Sequence, residues 1–198
     1  MASPSCAESA PLNACLGTRR SVRAYASAGL TLGQVSSLLW AAQGVTGVGG
    51  LRTSPSAGAI YPLKAYLIAS NVEGLPAGVY RYEPDTGELA FVERGERRKK
   101  LCVAAMGQEC VLSSPAALLL VSWEKRMRAE FGDITPKLIA LECGHTAQNF
   151  LLEAVSLGLG AVVLAKFDID ALRTVIPIRS DENPEYLLLA GIPATKQK

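Results

Sequence analysis

The chain has 198 residues, 49% apolar composition and a formal charge of +2, so it can bury a sizeable core yet is short enough for one domain. Its basic residues are spread out rather than gathered on an aromatic-studded face, which argues against nucleic acid as a partner. Five cysteines (Cys6, Cys15, Cys102, Cys110, Cys143) without a CxxC pair argue against a disulfide framework and a zinc site, and fit a reducing cytoplasm.

Residues 1–16 have neither a basic start nor a sustained apolar run, so they read as a loose lead-in rather than a secretory leader. The folded domain is taken as residues 12–198, with 1–11 as a flexible extension. Thr18-Arg19-Arg20-Ser21-Val22-Arg23 then packs three permanent cations and a hydroxyl into a phosphate-sized stretch. By itself such a cluster is more often a solvated basic turn, and only the segments downstream reverse that reading. Residues 24–51 carry no charge, but their serines, glutamines and six glycines are too polar and flexible to span a membrane. The better reading is a buried helix. Thr31 and Gln34 form a capping-box signature, Val35, Leu38, Leu39 and Ala42 recur at helical spacing, and Gly44 ends the run.

The loop that follows leads into Pro55-Ser56-Ala57-Gly58-Ala59-Ile60-Tyr61-Pro62, an irregular backbone that another molecule can approach closely or that simply connects two elements. Strands are predicted over 64–70, 79–82 and 89–92, the last two as a hairpin. The charged run 93–100 opens a helix toward Met106, and the apolar run 116–121 reads as a buried strand. A long helix over about 135–157 carries Leu138, Leu141, Phe150, Leu152, Ala154 and Val155 around much of its circumference. It is expected to be buried on several sides, as a central helix or a dimer seam. A strand at 161–165, a short helix at 168–175 and a strand at 185–191 complete an α/β or α+β pattern with a mixed sheet. No Walker sequence and no strand–GxGxxG–helix unit is present.

Four segments together resemble the nitroreductase family of flavoenzymes: Arg19-Arg20-Ser21-x-Arg23, Arg52 through Pro62, Gly144-His145-Thr146-Ala147-Gln148-Asn149, and Leu157-Gly158-Leu159-Gly160. The PSAGAxYP form and Gly78-Val79-Tyr80-Arg81-Tyr82 look like the SagB-type branch, which includes dehydrogenases that oxidise azolines in modified peptides. The resemblance implies an α+β fold in α/β/α layers, with a mixed, mainly antiparallel sheet and a long central helix at the interface of an obligate homodimer. It also implies FMN in a cleft at that interface, and ping-pong hydride transfer between NAD(P)H and a small organic acceptor. In similar proteins the first Arg and the Ser of the basic motif hold the FMN phosphate and ribityl tail, which places Arg19 and Ser21 there, with Arg20 completing the site and Arg23 nearer the ring.

Pro55, Ser56, Ala57, Gly58 and Ala59 are expected to meet the isoalloxazine through backbone; the wider family often has Asn where Ala59 stands. Val163, Leu164, Ala165 and Lys166 match the segment that approaches the flavin N5 region, where relatives usually have Glu-Gly in place of Ala165-Lys166. Lys196, or else Lys198, is expected to reach the phosphate. The same resemblance leaves open a SagB-type dehydrogenase that needs a Lys-Tyr pair, for which Lys137 is the candidate, and a flavin-binding protein without turnover. Catalytic side chains are unassigned, since the cofactor carries the chemistry. No metal is expected: Cys143 and His145, two apart on a helix, diverge and cannot share one ion. His145, Gln148, Asn149, Trp40 and Trp123 read as packing or interface residues.

Overall fold

The computed structural model describes residues 10–194, so Lys196, Lys198 and most of the 1–11 extension lie outside the described residues. A six-stranded sheet in the order β3-β2-β1-β4-β6-β5 forms the middle layer. Its strands are β1 (Leu63–Ala69), β2 (Gly78–Glu83), β3 (Glu88–Arg94), β4 (Ala116–Ser122), β5 (Gly160–Leu164) and β6 (Asn183–Gly191). All five neighbouring pairs are antiparallel, so the mainly antiparallel expectation holds. Parallel pairing is confined to the isolated bridges Ser21–Ala161 and Leu30–Val72.

Strand alternation divides the core into two faces. Leu118 and Leu120 of β4 point to one face, where α2 (Leu32–Gln43) and α6 (Thr135–Ser156) cover them; Leu119 and Val121 point to the other. There α3 (Arg98–Ala104), α4 (Cys110–Ser113) and α7 (Ile169–Val175) close the third layer. Because both faces are covered, every residue of β4 is buried, which is why its sequence reads as a continuous apolar run.

The helix ends follow local chemistry. The Thr31 hydroxyl accepts from Gln34 N while the Gln34 side chain accepts from Thr31 N, the reciprocal cap expected for α2. The charged run after β3 starts its helix later than expected. β3 continues to Arg94, Gly95 turns the chain at φ 118°, and the Glu96 carboxylate accepts from the backbone N–H groups of Arg97 and Arg98 to open α3.

Two helices outside the expected elements are α1 (Leu12–Thr18), within the stretch read as a loose lead-in, and α5 (Glu124–Phe131). Only Cys15 is buried in the first and only Met127 in the second. Within the single chain the long helix α6 is buried along one side. Of the six apolar residues singled out, Phe150 and Ala154 are buried, whereas Leu141 is 50% exposed beside exposed Gly144, His145 and Gln148.

Candidate functional site

The basic motif leaves α1 in extended conformation and docks against the edge of the sheet. Val22 N donates to Ala161 O at 2.9 Å, and Ala26 N donates to Ile192 O at 2.8 Å, while Ala194 N donates to Ala24 O at 3.0 Å. The approach is close enough to require glycine at position 160: a Cβ there would lie 2.6 Å from Val22 Cγ1. Gly160→Ala is therefore expected to destabilise the fold by about 1–3 kcal/mol through overpacking. Gly17→Ala, in a helix and with nothing within 4 Å, should be neutral or stabilising; paired thermal melts read the difference.

Docking leaves the polar side chains of this segment outward. Ser21 and Arg23 are exposed and Arg19 is half-buried, and among the described residues no carboxylate pairs with Arg19, Arg20 or Arg23. Arg20 differs from the other two in that its guanidinium folds back onto Arg19 O at 2.8 Å and Gly17 O at 3.3 Å. Cations gathered without a counter-ion form a receptor for an anion, and guanidinium geometry suits phosphate or carboxylate.

From Ala161 the strand β5 runs as the outermost strand on its side of the sheet, and residue 165 stands about 13 Å further along at the usual rise. Val163 is half-buried on the α6 face, Leu164 is buried on the other, and Ala165 and Lys166 emerge exposed beyond the strand end. Gln108 Nε2 donates to Lys166 O at 2.9 Å and to Ala105 O at 3.0 Å, which ties this end to the turn after α3. The structure thus brings the basic motif and residues 163–166 together along one sheet edge.

The segment 55–59 is elsewhere. It enters β1, and the register Leu63–Ser122 and Ser122–Asn183 puts that entrance at the same end of the sheet as Leu164, three strands away, or roughly 14 Å. Its backbone is strained: Gly58, Ala59 and Tyr61 have φ of 60°, 51° and 51°, and each non-glycine residue in that region costs about 1–3 kcal/mol.

Several contacts over-determine the turn. Glu142 Oε1 accepts from Ser56 Oγ and from Ala57 N, both at 2.9 Å, and Ser56 Oγ accepts from Tyr61 N at 2.8 Å. Arg52 lies over the Tyr61 ring at 4.8 Å and donates to Gln43 Oε1, whose amide nitrogen donates to Thr146 Oγ1. Asn149 donates to Thr53 O and Ser54 Oγ, so its packing role is a specific one. Burial pushes the Glu142 carboxyl above its ordinary range against the opposing hydrogen bonds, lowers the Arg52 guanidinium, and raises the Cys143 thiol far up.

Cys143 is buried and His145 exposed on α6, pointing apart, and Lys137 is exposed on the first turn of that helix. Sequence reasoning missed Glu142, Gln43 and Gln108. Glu142 alone left a signal, as the one carboxylate in the otherwise uncharged run 138–152.

Residues 16–192 match the sequence profile of the nitroreductase family. A protein of Methanocaldococcus jannaschii named as a nitroreductase is 38% identical over 173 residues, covering 87% of this chain and 86% of its own. A crystal structure from Ralstonia eutropha, also named as a nitroreductase, superimposes with a TM-score of 0.86 at 30% identity, over 98% of this chain and 89% of that one. Another from Anabaena variabilis gives 0.83 at 29% identity over 92% of this chain, which spans only 38% of that longer protein. A chain of the E. coli microcin synthetase McbBCD complex, solved with truncated pro-MccB17, shares the fold at a TM-score of 0.76 and 22% identity, over 86% of this chain and 67% of that one. The chain belongs to the nitroreductase family.

Proposed function

We propose that this oxidoreductase-family chain binds FMN and moves electrons between NAD(P)H and a small organic acceptor. The observation that carries the reading is the unpaired cationic motif docked on the edge strand whose far end is 163–166: an anion receptor at one end and exposed backbone at the other. The residues fit an elongated phosphate-bearing cofactor. Arg19 and Ser21 would hold the phosphate, Arg23 would sit nearer the ring, and 163–166 would flank it. When bound, FMN supplies hydride acceptance and donation in two half-reactions, so a ping-pong order follows without a protein acid–base pair. Arg23 then favours negative charge on the ring, and the two segments exclude water from its faces.

The strained turn completes the site only from a second copy, because within one chain it stands three strands from β5 and the basic motif docks one step beyond that strand. A homodimer packed along the open face of α6 supplies it, and would cover Leu141 together with Leu12 and Leu16, which are 63% and 52% exposed. No helix among the described residues is long and apolar enough to cross a membrane, and the four described cysteines are buried free thiols, which favours a reducing, cytoplasmic setting. The likeness to the microcin synthetase chain keeps a SagB-type dehydrogenase, acting on a peptide azoline, as the second reading.

The visible spectrum of the purified protein tests the proposal. A yellow protein that releases FMN on heating, and whose visible band bleaches anaerobically with NADH or NADPH, supports it. A colourless protein that also fails to take added FMN sinks it; a yellow one inert to both nicotinamides shifts the reading to the dehydrogenase.

A further inference from the structure

We infer that Glu142 is the positioning residue that holds the 56–61 turn in the conformation it presents to the flavin, an inference that rests on the flavin reading above. Glu142 is 6% exposed in the middle of α6 and has no ion-pair partner among the described residues. A desolvated, unpaired carboxylate is a poor way to stabilise a helix face that an apolar residue would fill, so its place there points to a task other than packing. Its hydrogen bonds show the task.

An ionised carboxylate only accepts, so the Ser56 hydroxyl must donate to Oε1 and turn a lone pair toward Tyr61 N. One oxygen therefore sets the start of the turn directly, through Ala57 N, and its end through Ser56. Between those two anchors lie the left-handed residues Gly58, Ala59 and Tyr61. Phe131 seals the outside, since a Cβ on Gly58 would meet its Cζ at 3.3 Å. Without the anchor, Ala59 and Tyr61 relax toward ordinary backbone and the surface offered to the ring changes. The groups that face the carboxylate electrostatically are His145 on its own helix and Arg52 across the turn, both favouring its charge.

Three variants test this against FMN and riboflavin, which share the ring and differ in the phosphate. Glu142→Met keeps the volume and removes the acceptor; it should weaken both ligands by the same factor, about tenfold to hundredfold, and alter the bound flavin's visible band. Glu142→Gln keeps an acceptor oxygen and should return affinity to within about threefold of the parent. Ser56→Ala severs the link to Tyr61 and should weaken both ligands about tenfold, which keeps the test open if Glu142→Met does not fold.

Thermal melts and near-ultraviolet circular dichroism establish that each variant compared is folded. A folded Glu142→Met, or a Ser56→Ala, that binds riboflavin and FMN as tightly as the parent overturns the inference. Parent protein that binds neither flavin overturns the flavin reading, and the inference with it.

Discussion

Glu182→Ala is expected to lower the stability of the fold by about 3 kcal/mol, an effect large against the usual total for a single domain. Glu182 is fully buried in the turn between α7 and β6, and its carboxylate gathers three donors from two elements. Lys64 Nζ lies 2.5 Å from Oε1, and the Tyr66 hydroxyl and Arg179 N donate to Oε2 at 3.0 and 3.2 Å. Burial, with the neighbouring carboxylate, pushes the Tyr66 phenol up to about 12, so the hydroxyl stays a donor throughout the neutral range.

Removing one partner of such a pair leaves the others desolvated and unsatisfied, which typically costs about 3–5 kcal/mol. The lower figure applies because the Lys64 side chain is 31% exposed and can turn to water, whereas Tyr66 cannot. For a chain of 198 residues the midpoint should fall by about 6–12 °C in a calorimetric scan. A loss below about 1 kcal/mol would mean that Lys64 and Tyr66 find other partners locally. Tyr66→Phe supplies the cross-check: in that background Glu182→Ala should cost measurably less, because one stranded donor is already gone.

What could be read in advance follows the range of each interaction. The start of α2 was legible because its cap is closed by residues three apart, and β4 because burial on both faces leaves an unbroken apolar run. The basic motif stood out by charge density, but its reading as an anion receptor needed the other three segments beside it. By contrast α5 has the sequence EKRMRAEF with one buried residue, so its helix is set by Met127 against Leu63, Ile139 and Cys143 rather than by any period. Which side of α6 its own chain covers was equally invisible, since apolar residues on the open face read like those on the covered one.

The anchor of the strained turn escaped for a related reason. Ser56 and Glu142 are 86 residues apart, and nothing local to either names the other. The separation of the turn from the basic motif, three strands to β5 and one step beyond it, is a property of strand order, which no single motif carries.

Arg19→Ala is expected to weaken FMN binding about tenfold to hundredfold while leaving riboflavin affinity unchanged. A charge-assisted contact to phosphate contributes roughly 1.5–3 kcal/mol, which converts to that range. The half-buried Arg19 side chain makes no hydrogen bond or ion pair among the described residues, so its loss strands no protein partner and the thermal midpoint of the flavin-free protein should stay put. Arg20 serves as the internal control. Its guanidinium is already engaged with two carbonyls, so Arg20→Ala should cost less in affinity and more in stability. Arg19→Lys keeps the charge and loses the planar fork, and should recover only part of the affinity. Titration of each variant with FMN and riboflavin, followed by quenching of flavin fluorescence, separates these outcomes. Equal losses for both ligands would place Arg19 at the ring rather than the phosphate. No loss for either would assign Arg19 to solvent and move the anion receptor to Ser21 and Arg23. The pattern also complements Glu142→Met, which should affect both ligands alike; that pair of results would divide the cofactor's contacts between its phosphate at Arg19 and its ring at the turn held by Glu142.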